Sequence, residues 1–128
     1  MATTGKVRIL VVDDDEAIRT FLGHLLESEG YEVELAEDGS VALEKIAAQP
    51  VDLVITDIAM PEKDGIETII SVRDSNPSTK IIAISGVEKS ERLLEIAQMY
   101  KADASLKKPF DNDVLLETIK KVLGGGSG

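Results

Sequence analysis

Val51-Asp52-Leu53-Val54-Ile55-Thr56-Asp57-Ile58-Ala59-Met60-Pro61 is the stretch on which the reading of this chain turns. Its middle, Val54-Ile55-Thr56, is apolar and β-branched, which suits a strand buried on both faces. The run stops on a carboxylate, Asp57, and Pro61 keeps the strand from continuing. A lone Asp after a buried strand is ordinarily a loop residue or the cap of the next helix. What surrounds the stretch reverses that expectation.

Upstream, Val7 to Val12 is another buried strand, and it ends in Asp13-Asp14-Asp15-Glu16. Ala17, Ile18, Phe21, Leu22, Leu25 and Leu26 then recur at helical spacing as far as Gly30. Tyr31, Val33 and Leu35 alternate with Glu32 and Glu34, the pattern of a half-exposed edge strand. Asp38-Gly39 reads as a turn, and Val41, Ala42 and Ile46 as a short helix closed by Pro50. Downstream, Asp64 is an expected N-cap for a helix with Ile66, Ile69 and Ile70 on its inner face. Ile81 to Ile84 is a fourth strand ending at Ser85-Gly86, and Leu93, Leu94, Ile96, Ala97 and Tyr100 outline a fourth helix. Ala102 to Leu106 is a weak fifth strand before Lys107-Lys108-Pro109-Phe110. Val114, Leu115, Ile119, Val122 and Leu123 make the last helix.

Strands alternating with helices predict an α/β fold: a five-stranded parallel sheet flanked by five helices, doubly wound as in flavodoxin. Right-handed crossovers and a half-polar second strand favour the order 2-1-3-4-5, with a switch point between the first and third strands. Ligands of such sheets lie beyond the carboxyl ends of the strands at that point. Asp13, Asp14 and Asp57 belong there, and Ser85 and Lys108, each at a strand end, face the same crevice.

The chain has 128 residues and reads as one domain, over residues 6–123. Residues 1–5 are expected to be disordered and Gly124 to Gly128 to form a flexible tail. A net charge of −10 argues against nucleic-acid and anionic-membrane binding. Absence of Cys excludes disulfides, a thiolate nucleophile and a Cys-ligated metal. With no signal-peptide core and no run of membrane-spanning length, a cytoplasmic location is expected.

Crowded carboxylates repel one another, and a hard dication relieves that cost. Mg2+ takes one or two carboxylates, waters and a phosphate oxygen. A Lys suits a phosphoryl group as a point charge, a Ser hydroxyl can donate to it, and an Asp is a competent nucleophile for phosphorus. Together these residues describe a metal-assisted phosphoryl site.

Leu10-Val11-Val12-Asp13-Asp14, Asp57 to Pro61 with Asp64-Gly65, Ser85-Gly86 and Lys108-Pro109-Phe110 resemble, in order and spacing, the motifs of the receiver domain of two-component response regulators. The resemblance implies that Asp57 accepts a phosphoryl group from a histidine kinase or phosphotransfer protein and that a conformational change then regulates a downstream partner. It implies direct Mg2+ ligation by Asp14, Asp57 and the Ala59 carbonyl, with Asp13 acting largely through water. Ser85 would hydrogen-bond the phosphoryl group and Lys108 would pair with it. The family's cis peptide bond before the matching proline is expected at Pro109. Ser105 stands where receivers usually carry a switch aromatic. Ala59 and Val87 stand where polar residues orient the hydrolytic water, which implies slow loss of the phosphoryl group.

Other readings account for less. A haloacid-dehalogenase-like phosphatase also uses Asp, Mg2+, Ser and Lys. Here, however, Ala17 replaces its hydroxyl residue and Asp57 to Pro61 would go unexplained. A flavodoxin-type FMN site would need a hydroxyl- and Gly-rich loop after the first strand. Asp15 and Glu16 read as first-turn helix acids, and Lys107 as a solvated neighbour of Lys108. His24 reads as a surface residue and Tyr100 as core.

Overall fold

Alternation of side chains along the central strands sets the architecture. The structure, a computed structural model, describes residues 6–58, 65–85 and 102–124. These contain β1 (Arg8–Val12), α1 (Glu16–Ser28), β2 (Glu32–Ala36), α2 (Gly39–Ala48), β3 (Leu53–Asp57), α3 (Gly65–Ser75), β4 (Lys80–Ser85), β5 (Ala104–Lys107) and α4 (Asn112–Leu123). The sheet runs β2-β1-β3-β4-β5 and every neighbouring pair is parallel. The helix expected around Leu93 to Tyr100, the Asp64 cap, and Ala59 and Val87 lie outside the described residues.

Successive strand residues point to opposite faces, and both faces are covered. Leu10, Val12, Val54, Ile81 and Ala83 pack with Ala42 and Ile46 of α2 and Ile69 and Val72 of α3. Ile9, Val11, Leu53, Ile55, Ile82 and Ile84 pack with Leu22 and Leu26 of α1 and Leu115 and Ile119 of α4. Each fully buried aliphatic side chain is worth roughly 1.5–3 kcal/mol, so the three central strands carry the fold. Edge strand β2 is only half-buried, as its alternating glutamates require. Arg8 of β1 reaches Glu32 at 2.8 Å, and Lys45 of α2 reaches Glu34 at 3.4 Å.

Several expectations are corrected at the level of single residues. Asp38-Gly39 is a helix start, not a turn: Asp38 is the N-cap of α2, its carboxylate accepting from the Val41 N–H at 2.9 Å, and Gly39 is the first helical residue. Phe21, Ile70 and Val114 are exposed. On α1 the buried face includes Leu22, Gly23 and Leu26, on the side of the helix away from Phe21. On α3 it includes Thr68, Ile69 and Val72, which turns Ile70 outward. Gly30 ends α1 as expected, with a positive φ of 93°.

Candidate functional site

Main-chain hydrogen bonds bring the carboxyl ends of the strands to one level. Asp13 N–H donates to the Ala36 carbonyl at 3.1 Å, Ile58 N–H to Ile84 at 2.9 Å, and Lys108 N–H to Ser85 at 2.9 Å. Asp13, Asp57, Ser85 and Lys108 therefore leave four different strands side by side. Strand alternation turns Lys107 outward and Lys108 inward, and the Lys108–Pro109 peptide bond is cis, as expected.

Carboxylate oxygens of Asp13, Asp14 and Asp57 all lie within 4.8 Å of one another. Asp13 and Asp57 are buried and Asp14 is exposed at the mouth. Lys108 Nζ lies 3.3 Å from Asp13 Oδ2 and 3.3 Å from Asp57 Oδ2. Both distances are longer than a tight charge-assisted hydrogen bond, about 2.7–2.9 Å, so the ammonium is shared as a point charge. Burial pushes the Asp13 carboxyl above its ordinary value, and the neighbouring Asp57 adds to this. The Asp15 N–H at 2.9 Å and Lys108 only partly oppose the rise. Burial alone would lower Lys108, but attraction to Asp13 and Asp57 more than reverses it and holds the ammonium above its ordinary value.

Three carboxylates against one ammonium leave two formal negative charges in excess. Hard oxygen donors with that excess fit a hard dication such as Mg2+. Ser85 is fully buried, and among the described residues its Oγ has no hydrogen-bond partner. A buried hydroxyl without a partner is costly, so its place at the end of β4, between the strand ends that carry Asp57 and Lys108, fits a group that it would serve.

Asp15, which follows the cluster, does not join it. Its carboxylate caps α1, accepting from the Ala17 N–H at 2.9 Å and the Ile18 N–H at 3.4 Å. His24 is exposed on α1. Ser105 is half-buried on β5 opposite Ala83. With Lys80, Asp103, Ala104, Thr118, Lys121 and Val122 it lines a groove of about 510 Å³. Sequence reasoning passed over Arg19, whose Nη1 donates to the Asp13 carbonyl at 2.6 Å. Its place one helical turn beyond the acids was the only signal.

Residues 9–120 match the family described as the response regulator receiver domain. The chain is 43% identical over 114 residues to the CAI-1 autoinducer sensor kinase/phosphatase CqsS of Vibrio cholerae, covering 88% of this chain and 17% of that protein. The chain spans from 17% to half of the length of the curated relatives it matches. A CheY-like response regulator receiver domain protein from Methanospirillum hungatei superposes with a TM-score of 0.88 at 36% identity, over 94% of this chain and 96% of that one. The response regulator TrrA of Thermotoga maritima, solved in complex with Mg2+–BeF, gives 0.81 at 38% identity, over 91% and 98%.

Proposed function

This chain belongs to the response regulator receiver domain family, and we propose that it signals by accepting a phosphoryl group on Asp57. The observation that carries the reading is the convergence on Asp57 of two further carboxylates and the shared Lys108 ammonium, with Ser85 at the end of the neighbouring strand. A structural acid at a strand end needs none of these.

The donor is a phosphohistidine on a histidine kinase or phosphotransfer protein. An Asp57 oxygen attacks phosphorus in line. The O–P bond forms as the P–N bond breaks, and the imidazole leaves with the electron pair. Lys108, already 3.3 Å from Asp57, pairs with a phosphoryl oxygen. Ser85 donates its hydroxyl proton to another, which satisfies its buried oxygen. Asp14, Asp57 and the Ala59 carbonyl would hold Mg2+, with Asp13 acting through water; the ion supplies charge neutralisation at the transferring oxygens. Similarity to a response regulator solved in complex with Mg2+–BeF supports Mg2+ as the ion. The product is an acyl phosphate on a domain that acts as a signal carrier rather than a turnover catalyst, and it shifts a conformational equilibrium read by a downstream protein.

The test is intact-mass measurement after incubation with acetyl phosphate. Wild type should gain one phosphoryl group in Mg2+ and none in chelator, and Asp57→Asn should gain none in either. Equal labelling of the two proteins would remove Asp57 from the role.

A further inference from the structure

Asp14 is the least anchored member of the acidic cluster. Among the described residues no hydrogen bond reaches its side chain, and it is exposed. What fixes the direction in which its carboxylate leaves the backbone is the pair of peptide planes on either side. The carbonyl of the Asp13–Asp14 peptide accepts a 2.6 Å hydrogen bond from Arg19 Nη1. The N–H of the Asp14–Asp15 peptide donates to Asp13 Oδ1 at 2.9 Å. Each plane is thus pinned by one side chain. Arg19 adds a second hold, since its own N–H donates to the Asp15 carbonyl at 3.0 Å as part of α1. The turn is clamped from the helix at two carbonyls, and only the side-chain clamp can be removed by substitution.

We infer that Arg19 is a positioning residue for metal binding: by holding the Asp13 carbonyl it aims the Asp14 carboxylate into the cluster. The inference rests on the proposed role of Asp14 as a Mg2+ ligand. A charge-assisted hydrogen bond to a half-buried carbonyl is among the stronger single contacts available to a turn. Groups that orient a ligand without touching the metal typically change affinity about 10- to 100-fold when removed.

A bystander role makes the opposite prediction. A guanidinium beside a dication site repels the ion, so if Arg19 acted only through its charge, removing it would tighten Mg2+ binding. Positioning predicts weaker binding, so the sign decides between the two roles.

The experiment is Mg2+ titration of the whole chain without phosphodonor, followed by amide chemical shifts. The proteins are wild type, Arg19→Met, Arg19→Lys and Asp14→Asn. Methionine keeps the aliphatic stem and helix propensity without the donor; lysine keeps charge and a donor. Arg19→Met should bind Mg2+ about tenfold more weakly, with faster hydrogen exchange at the Asp15 amide in chelator, and Arg19→Lys should recover most of the loss. Binding by Arg19→Met that is unchanged or tighter overturns the inference. So does Arg19→Lys binding as weakly as Arg19→Met, and if the methionine variant does not fold, Arg19→Lys binding ten times more weakly than wild type does the same. Asp14→Asn separates the two levels. If it binds Mg2+ as well as wild type, the ligand assignment itself fails and the inference falls with it. If it loses Mg2+ while Arg19→Met does not, only the role of Arg19 is wrong.

Discussion

Asp13 shows at the scale of one residue what a buried carboxylate costs. Burial raises its pKa, so the ionised form is less favourable folded than unfolded. For a carboxyl with a raised folded value, the stability contribution is complete below the ordinary value of 3.8 and is lost as pH rises through the raised one. Above the raised value the metal-free protein bears that cost in full. Lys108 behaves the other way at neutral pH: its raised value means that its contribution is present below 10.5 and lost only in more alkaline solution. Asp13→Asn keeps a carbonyl for the Asp15 N–H and removes the buried charge. In chelator at neutral pH it should therefore stabilise the protein by about 0.5–2 kcal/mol, the ordinary range of a single stabilising substitution. Urea denaturation at a series of pH values measures this. The difference from wild type should shrink as pH falls toward 3.8. A variant less stable than wild type at neutral pH would show that the bond to Lys108 outweighs burial. The identity of the cluster was legible because several carboxylates gathered at neighbouring strand ends, unlike a lone one, have little structural use. Arg19 was not, because a cation on a helix has many bland roles and only coordinates reveal which carbonyl it holds.

At the scale of elements, two glycines at either end of the same question give opposite predictions. Gly30 follows α1 with φ of 93°, and a Cβ there would meet nothing within 4 Å. The cost of Gly30→Ala is therefore backbone strain alone, about 1–2 kcal/mol. Gly23 lies inside α1, and an added Cβ would meet Leu35 Cδ2 at 3.5 Å, an ordinary contact. Gly23→Ala should stabilise by roughly 0.5–1 kcal/mol through helix propensity. Denaturation midpoints of the two variants check both signs, and a shift in the same direction for both would contradict them. Gly30 was readable because a glycine after a helical run has one common use. The helix faces were harder. Apolar residues at spacings of three and four allow several stripes, and Phe21, Ile70 and Val114 each extend a plausible one. Contact with the sheet selects the stripe, and that information is not local. Asp38-Gly39 has the same character, since an Asp before a Gly serves a turn or an N-cap equally well until the next residues bond to it.

The sheet was the most legible level of the whole molecule. Runs of β-branched residues in β1, β3 and β4, against the alternating β2, required a central and an edge position, and the order follows from crossover handedness. That order brings Asp13, Asp57, Ser85 and Lys108 together from residues as far as 95 apart in sequence. The phosphoacceptor we propose at this convergence is Asp57, and no other carboxylate. The most direct measurement is to phosphorylate the protein in Mg2+ with acetyl phosphate, reduce the acyl phosphate with borohydride and map the peptides by mass spectrometry. Reduction converts an aspartyl phosphate to homoserine and so marks the site covalently. Homoserine is expected at position 57 alone, dependent on Mg2+. Homoserine at Asp13 or Asp14, or labelling with Asp57 intact, would contradict it.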